Sequence, residues 1–325
     1  MTYSDFLYSI AERCGGFRFS KIISRKHPKI LMYHRLSESG GNGTVSVDHF
    51  REQMNIVKKF FYPMTLDQLM KAETDRDIPN HSVVITFDDG YQDFAKFAWP
   101  IMQEENVPAT LFVTTGFVNR ETWLWPDKIE YAINHAKKES IKPNGFQNPI
   151  SLKDKRIAWN KIASYCLILT NRDKNLLLEW IYQELDVELP KLPPEQYCAL
   201  TWLQIQSMVD SGLDVGSHSH THPILTKIDN DELHKEIYLS RNLIKRNLGF
   251  EPKSFCYPNG MEDDYNKNIK NILDAAGYQY AVTAYPSRNP LDDHYAIKRY
   301  AGVNSMRSFK KTIFGISYLQ QALRA

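Results

Sequence analysis

Three histidines occupy alternate positions in VGSHSHTHPIL (215–225), a dense cluster for a chain with ten histidines in 325 residues. On a helical turn His218 and His222 share one face, and on a strand the ring of His220 joins them. Neutral imidazole is a favoured ligand for Zn²⁺ and similar ions, and two histidines plus one carboxylate form a common catalytic arrangement. The spacing therefore predicts a metal site and leaves open which two or three rings bind.

Two adjacent carboxylates end an apolar strand in ITFDDGYQDF (85–94), where Gly90 lets the chain turn. Successive side chains at a strand end project in different directions. One of Asp88 and Asp89 could therefore bind a cation while the other stays free as a base. The alternative is that one of them caps the following helix and the other is exposed to solvent.

Two further strand ends carry polar groups. In SFCYPNG (254–260) the Pro-Asn-Gly turn can leave backbone N–H groups pointing at a ligand, and Tyr257 adds a hydroxyl. In LMYHR (31–35) an apolar strand is followed by His34. Each stretch alone is compatible with an ordinary turn, so the evidence for a site lies in their shared position at strand ends.

The elements that must position these residues alternate between short apolar runs and amphipathic stretches. The runs are KILMY (29–33), SVVITF (82–87), ATLFV (109–113), LDVG (213–216), SFCY (254–257), YQYAVT (278–283) and IKRYAGV (297–303). Helical patterns cover 47–59, 91–105, 203–210, 231–248, 263–276 and 306–323. Runs that are almost wholly apolar are typical of parallel strands buried on both faces. The alternation predicts an α/β barrel, with a doubly wound sheet as the second choice.

The segment from about 115 to 200 breaks this alternation. It holds helical patterns at 127–138, 155–169 and 173–185 but no clear strand, and prolines at 190, 193 and 194 mark the return to the core. We expect one barrel domain over 1–325 with a helical insertion at about 115–200. A C-terminal amphipathic helix is expected at about 305–324.

If the fold is a barrel, the polar strand ends meet in space. The carboxyl ends of barrel strands converge on one mouth, which is where the active sites of such folds lie. The residues expected there are His34, Asp88, Asp89, His218 and Tyr257.

The chain resembles the polysaccharide deacetylase family, the carbohydrate esterases that contain a chitooligosaccharide deacetylase homology domain. The resemblance rests on TFDDGY (86–91) followed downstream by HSHTH (218–222), and it covers roughly residues 29–303. ILMYHR (30–35) and WLWPDKIE (123–130) are similar to a branch found among surface-glycan and lipid-linked-sugar enzymes.

This resemblance implies a distorted (β/α)₇ barrel and metal-dependent hydrolysis of N-acetyl groups on sugars, with Zn²⁺ as the expected cation. By position, Asp89, His218 and His222 would bind the metal, and Asp88 would be the base that activates water. The backbone N–H near Asn259 would help to stabilise the oxyanion.

The chain departs from the family pattern in two places. Cys256 and Asn259 stand where many members have an arginine that holds the base and an aromatic residue. The late motif that supplies a general-acid histidine is not evident, and His294 and His34 are the two candidates for that role. The role of His220 stays open.

Composition limits the partners and the compartment. A net charge of +2 gives no reason to expect a nucleic-acid partner, and no stretch approaches the roughly 20 apolar residues of a membrane span. The N-terminus lacks the unbroken apolar run of an export signal, and the four cysteines are widely spaced. We therefore expect reduced thiols and a cytoplasmic protein.

Both ends of the chain are basic. Residues 298–325 hold six basic and no acidic residues, and the first thirty residues are biased in the same direction. This bias fits either peripheral contact with anionic lipid headgroups at the inner membrane face or a pair of solvated helix faces.

Three hypotheses about function follow. The first is a metal-dependent hydrolase that removes N-acetyl groups from amino sugars of a surface glycan or its lipid-linked precursor. The second is a glycan-binding protein with a degenerate site, and the third is a deacylase for O-acetyl or N-formyl groups.

Overall fold

The apolar runs of the sequence form strands that are buried on both faces. In Ser82–Phe87 and Ala109–Val113 every residue is buried, as the absence of alternation between apolar and polar residues predicts. The computed structural model describes residues 16–41 and 43–322. The N-terminal segment on which the export-signal prediction rests, together with Asn42 and residues 323–325, lies outside the described residues.

The described strands and helices take the following bounds. The strands are β1 (Lys29–Tyr33), β2 (Arg35–Ser37), β3 (Thr44–Ser46), β4 (Tyr62–Met64), β5 (Ser82–Phe87), β6 (Ala109–Val113), β7 (Ser140–Ile141), β8 (Ile150–Ser151), β9 (Asp214–Ser217), β10 (Ser254–Cys256), β11 (Tyr280–Val282) and β12 (Tyr300–Ala301). The α-helices are α1 (Gly16–Ile23), α2 (Val47–Phe60), α3 (Leu66–Thr74), α4 (Trp99–Glu105), α5 (Thr115–Val118), α6 (Trp125–His135), α7 (Lys155–Cys166), α8 (Asn171–Leu185), α9 (Trp202–Asp210), α10 (Asn230–Leu248), α11 (Lys267–Ala275), α12 (Met306–Ile313) and α13 (Ile316–Ala322).

The main sheet closes into a distorted barrel. Its strands follow the order β11-β10-β9-β6-β5-β1-β12, all paired in parallel, and β4 lies beside the start of β5. Ile297 forms a bridge with Val282 of β11, and β12 pairs with β1 a few residues later. This closing segment joins the two edges, which confirms the predicted (β/α)₇ barrel over the doubly wound sheet. We call the carboxyl ends of the strands the mouth and their amino ends the base.

The helical insertion lies between β6 and β9. Its helices α6, α7 and α8 share an apolar cluster of their own, which includes Ile129, Ile162 and Ile181. The chain then returns to the barrel beside the turn after β5, where the Leu200 N–H donates to the Gly90 carbonyl. The insertion thereby comes to stand over the mouth.

The C-terminal segment differs from the prediction. Residues 306–322 form two short helices, α12 and α13, so the prediction of one helix over about 305–324 is wrong. Gly315 separates them with a φ of +87°, and a Cβ at that position would lie 2.1 Å from Ser24 Oγ. The left-handed backbone and the close approach to α1 both require glycine there. Among the described residues, none of the helices is both long and apolar enough to span a bilayer.

Candidate metal centre

Asp89, His218 and His222 meet at the mouth of the barrel. Asp89 Oδ1 lies 3.4 Å from His218 Nε2 and 3.5 Å from His222 Nε2. Four ligands at about 2.1 Å from a tetrahedral Zn²⁺ are roughly 3.4 Å apart, so this spacing fits a cation between the three side chains.

Hydrogen bonding inside the cluster also fits a cation. Asp89 Oδ1 is buried and has no hydrogen-bond partner within the described part of the chain, a costly state for a carboxylate oxygen. Burial, reinforced by the negative charge of Asp88, raises the pKa of Asp89 well above its ordinary value. A divalent cation would supply the positive charge that this carboxylate lacks.

The two histidines are held in the neutral form that a metal requires. Burial lowers the pKa of His218 to about 4 and that of His222 well below its ordinary value. His218 Nδ1 donates to the carbonyl of Cys256 over 2.8 Å, which leaves Nε2 unprotonated and aimed at Asp89. The protonation and tautomer of His218 therefore suit ligation.

Left-handed backbone concentrates around this cluster. Among the described non-glycine residues with positive φ are Asp89 (74°), Ser219 (62°), His222 (62°) and Asn259 (61°), all in turns that follow barrel strands. Such conformations cost free energy and persist where the surrounding structure enforces them, often at functional sites. At Asp88-Asp89-Gly90 the turn is closed by the Gly90 N–H, which donates to the Asp88 carbonyl over 2.9 Å.

The Asp88 carboxylate lies beside the cluster and forms an ion pair that the sequence did not reveal. Arg299, only 1% exposed, binds both carboxylate oxygens, with 2.7 Å from Nη1 to Oδ1 and 2.8 Å from Nη2 to Oδ2. Its other side-chain hydrogen bonds go to the Thr283 carbonyl, the Thr86 hydroxyl and Cys256 Sγ. Burial by itself would raise the pKa of Asp88, but the charge and hydrogen bonds of Arg299 outweigh burial and hold the pKa well below its ordinary value.

Arg299 resolves one departure from the family pattern. The place where many members carry the base-holding arginine is Cys256, and here Cys256 Sγ lies 3.1 Å from Arg299 Nη2. The guanidinium thus reaches Asp88 from the closing segment of the barrel instead of from β10. A signal was present in the sequence, since IKRYAGV places a basic residue inside a run predicted to be a buried strand.

A second group of potential metal ligands shares His218. Asp88, His218 and Cys256 also lie close enough together to hold an ion. Arg299 already contacts both Asp88 and Cys256, so a cation there would meet a buried positive charge. Within the described residues, no cationic side chain contacts the group of Asp89, His218 and His222, so this group suits a metal cation better.

The remaining predicted residues reach the mouth in different ways. His34 Nε2 lies 3.8 Å from Asp88 Oδ2. Asn259 lines the same cavity, and no hydrogen bond is formed by its backbone N–H within the described structure. Tyr257 also lines the cavity, but its hydroxyl donates to the carbonyl of Tyr295 and points away from the cluster.

Two other histidines lie outside the cluster. His220 Nδ1 is 3.0 Å from Thr115 Oγ1, and its Nε2 is 3.1 Å from Glu121. His294 is half-exposed and pairs with Glu73. Neither ring is directed at Asp89.

Glu236 is a further buried residue that the sequence did not reveal. It lies on α10 and accepts hydrogen bonds from the backbone N–H groups of His220 and Thr221 and from the Thr221 hydroxyl. These bonds fix the loop that carries His218 and His222. A glutamate in an amphipathic helix gives no local sign of such a contact.

A cavity of about 350 Å³ opens over the cluster. Its floor contains Asp88, Asp89, His218 and His222, and its wall contains Trp125 and Trp159 of the insertion. A second cavity of about 710 Å³ adjoins it through His34, Asp89 and Trp159. Together they form an extended cleft with room for more than one sugar ring.

Comparison with known families identifies the class. The family model for polysaccharide deacetylase matches residues 75–281, more than half of the chain. The chain therefore belongs to the polysaccharide deacetylase family, which confirms the resemblance found in the sequence. Membership of this family supports the prediction that the protein is a hydrolase that deacetylates glycans. Among curated proteins, no sequence matches the chain.

Solved structures show the same fold. The Streptococcus pyogenes deacetylase PplD, in complex with acetate, is similar with a TM-score of 0.59 and 18% identity over 90% of this chain and 96% of that one. IcaB from Ammonifex degensii has a TM-score of 0.59 and 17% identity, over 89% and 96% of the two chains. A de-N-acetylase from Aggregatibacter actinomycetemcomitans has a TM-score of 0.53 and 15% identity, over 87% and 99%. At these identities the likeness concerns the fold alone.

Proposed function

We propose that the protein is a metal-dependent hydrolase that removes N-acetyl groups from amino sugars of a glycan or its lipid-linked precursor. The observation that carries this proposal is the Asp89–His218–His222 cluster directly beside an ionised, arginine-held Asp88. Asp88 is paired with an arginine and Asp89 is not, so Asp89 suits the role of metal ligand and Asp88 suits the role of base.

The cluster residues would hold a divalent cation, with Zn²⁺ favoured by the ligand set of two imidazoles and one carboxylate. When bound, such a cation supplies Lewis-acid chemistry that lowers the pKa of water and polarises an amide carbonyl. His218 and His222 would contribute neutral Nε2 atoms, and Asp89 would contribute a carboxylate that no cationic side chain among the described residues contacts.

Asp88 is proposed as the general base. The two bonds from Arg299 keep it ionised and fix the plane of its carboxylate, so it can accept a proton from water at the mouth. The price of this positioning is a weaker base, because a carboxylate with a low pKa binds a proton less tightly.

Asn259 and His34 complete the proposed machinery. The backbone N–H of Asn259, which has no hydrogen-bond partner within the described structure, would donate to the oxygen that becomes negative when the amide carbonyl is attacked. His34, beside Asp88, would pass to the leaving sugar amine the proton that Asp88 takes from water, so that the amine leaves neutral and both side chains return to their starting state. Tyr257 would serve as part of the wall, since its hydroxyl is already bound.

Location is a separate proposal. Within the described part of the chain, Cys166, Cys198 and Cys256 form no disulfide, which supports the proposal of a reducing compartment such as the cytoplasm. Fractionation of cells that produce the chain tests it, and recovery outside the cytoplasm and inner membrane would reject it.

The proposed function is tested by measuring acetate release and bound metal on N-acetylated oligosaccharides and lipid-linked sugars. We expect His222→Ala to lose both the metal and acetate release because it removes a ligand. His294→Ala removes an equally polar ring far from the cluster and should retain both. Wild-type protein that binds the sugars but releases no acid would favour the glycan-binding alternative. Release of formate, or of acetate from O-acetyl esters only, would favour the other acyl groups.

A further inference from the structure

An exposed apolar surface lies at the base of the barrel. It holds five of the eleven exposed large hydrophobic side chains of the described residues, each between 40% and 64% exposed: Phe19, Ile22, Ile23, Phe60 and Tyr62. Single exposed apolar residues are ordinary on protein surfaces, but a cluster of this size needs an explanation. We call these five residues the basal surface.

Helix α1 presents two different faces. Phe17 and Ser20 are buried, and the Phe17 ring packs on Phe314, with 5.2 Å between the centroids. Phe19, Ile22 and Ile23 follow the i, i+3, i+4 spacing of a helix face and point to solvent. The inner face already attaches α1 to the barrel, so the outer face is not needed for that purpose.

The end of α2 extends the same surface. The Phe60 ring lies 5.8 Å from Phe314, and the ammonium of Lys21 on α1 lies 5.7 Å from the Phe60 ring. Tyr62 follows at the start of β4, where its N–H donates to the carbonyl of His81, and the His81 N–H donates to Arg25. The five apolar side chains therefore belong to one region of the molecule.

Basic residues surround this region. Those on α1 and the turn after it are Arg18, Lys21, Arg25 and Lys26, and α2 adds Lys59. Residues 16–28 contain no acidic residue, and the adjoining loop carries Asp75, Arg76 and Asp77, a net charge of only −1. Apolar side chains within a basic rim match the structure of a bilayer surface that carries anionic headgroups.

We propose that the basal surface docks on an anionic lipid bilayer. The apolar side chains enter the boundary between headgroups and acyl chains, and the basic rim contacts lipid phosphates. Both basic ends of the chain are candidates for membrane contact from the sequence, but at the C-terminal end Phe309 and Ile313 of α12 are buried against the barrel. Its apolar face is therefore already covered, and the contact falls on α1 and the end of α2.

This orientation has a consequence that rests on the proposed function. The basal surface lies at the amino ends of the strands, where α1 precedes β1 and α2 ends before β4, whereas Asp88 and His218 lie at the carboxyl ends. A docked molecule turns its mouth away from the bilayer. The reacting sugar therefore comes from the aqueous side, as part of a saccharide chain, instead of lying at the level of the headgroups.

Flotation of the full chain with vesicles tests the docking. We expect binding to phosphatidylcholine vesicles that contain phosphatidylglycerol, weaker binding at high salt, and little binding to phosphatidylcholine alone. Replacing Phe19 and Ile22 with serine, or Arg18 and Lys26 with glutamate, should reduce binding at least roughly tenfold. Replacing the exposed Ile168 and Leu203 with serine is the matched control and should leave binding unchanged.

The result that would overturn the proposal is absence of binding, equal binding to neutral vesicles, or unchanged binding of the basal variants. Binding that appears only after deletion of residues 1–15 would also overturn it, because that segment would then be the occupant of the surface. A concentration-dependent dimer that the Phe19 and Ile22 substitutions abolish, without vesicle binding, would assign the surface to a second copy. Vesicle binding is measured without substrate, so loss of the proposed activity leaves this test intact.

Discussion

At the scale of single residues, Asp88 and Asp89 show how neighbouring carboxylates acquire different chemistry. Both are buried, and burial alone would raise the pKa of each. Arg299 reverses that effect for Asp88 only, because the turn at Gly90 directs the two side chains to different partners. The lowered pKa favours the ionised form of Asp88, whereas Asp89 lacks any cationic partner within the described residues except the cation that the cluster could hold.

Replacing Arg299 tests this division. Arg299→Met removes the partner of a buried charge and should cost about 3–5 kcal/mol of unfolding free energy. Arg299→Lys keeps a positive charge but not the two-pronged contact, so it should lower kcat with little change in KM or bound metal. Steady-state acetate release, metal content and thermal unfolding report these effects. An Arg299→Lys enzyme with wild-type kcat would show that Arg299 does not position the base.

At the scale of elements, the helical insertion is attached to the barrel by a polar contact beside the mouth. Asp127, in the first turn of α6, accepts a hydrogen bond of 2.7 Å from the Tyr91 hydroxyl and lies 3.8 Å from Arg35 Nη1. The same helix start carries Trp125 and Pro126 into the cavity wall. The contact therefore determines where the wall stands relative to the aspartates.

Removing that contact should affect substrate binding more than chemistry. Asp127→Ala is expected to raise KM severalfold while bound metal and kcat change little, because the cluster is untouched. Asp127→Asn can still accept from Tyr91 and serves as the control with near-normal KM. Saturation curves with an oligosaccharide distinguish the two, and equal KM values for all three proteins would reject the attachment.

The raised pKa of Asp127 predicts that the stability of the fold depends on pH. Burial raises the pKa of Asp127 to about 7 from an ordinary value of 3.8. Between these two pH values the Asp127 carboxyl is protonated in the folded protein and ionised in the unfolded chain. Stability contributed by this residue is therefore complete near pH 4 and declines as the pH rises towards 7. Denaturant unfolding at several pH values, in the presence of a chelator, should show this decline in the wild type and a flatter profile in Asp127→Asn. Identical profiles would contradict the assignment.

The elements differ in how far the sequence determined them. KILMY and SVVITF form strands with the predicted bounds because their burial on both faces requires an uninterrupted apolar run. The sequence predicts a strand over IKRYAGV (297–303), but β12 covers only Tyr300–Ala301 and Ile297 forms a separate bridge. The division of this segment between the two edges of the sheet depends on distant strands and is not visible in local composition. The break at Gly315 depends on Ser24, almost 300 residues earlier, and a periodic apolar pattern cannot reveal such a contact.

The candidate site divides in the same way. The motifs indicated the Asp-Asp and His-x-x-x-His residues because the proposed metal ligands and base need particular residue types at fixed strand ends. Arg299, Glu236 and the bound hydroxyl of Tyr257 were not found, since each depends on a partner from a distant part of the chain.

At the scale of the whole molecule, the two ends of the barrel have different surface chemistry. The mouth combines buried carboxylates and imidazoles under an aromatic wall. The opposite end of the barrel, at the amino ends of the strands, combines exposed apolar side chains with arginine and lysine. The barrel separates them, so docking at the base and hydrolysis at the mouth can be tested independently. The vesicle experiment addresses one end, and every metal and acetate measurement addresses the other.

The most direct test of the central claim compares Asp88→Asn with Asp89→Asn, two substitutions of equal size in adjacent residues. Bound metal and acetate release are measured side by side on wild type and both variants. Asp88→Asn should keep the metal and lose about 10²–10⁴-fold in acetate release, as expected for a lost general base. Asp89→Asn should lose both. Full activity in Asp88→Asn, or full metal content in Asp89→Asn, would contradict the separate roles of the two carboxylates.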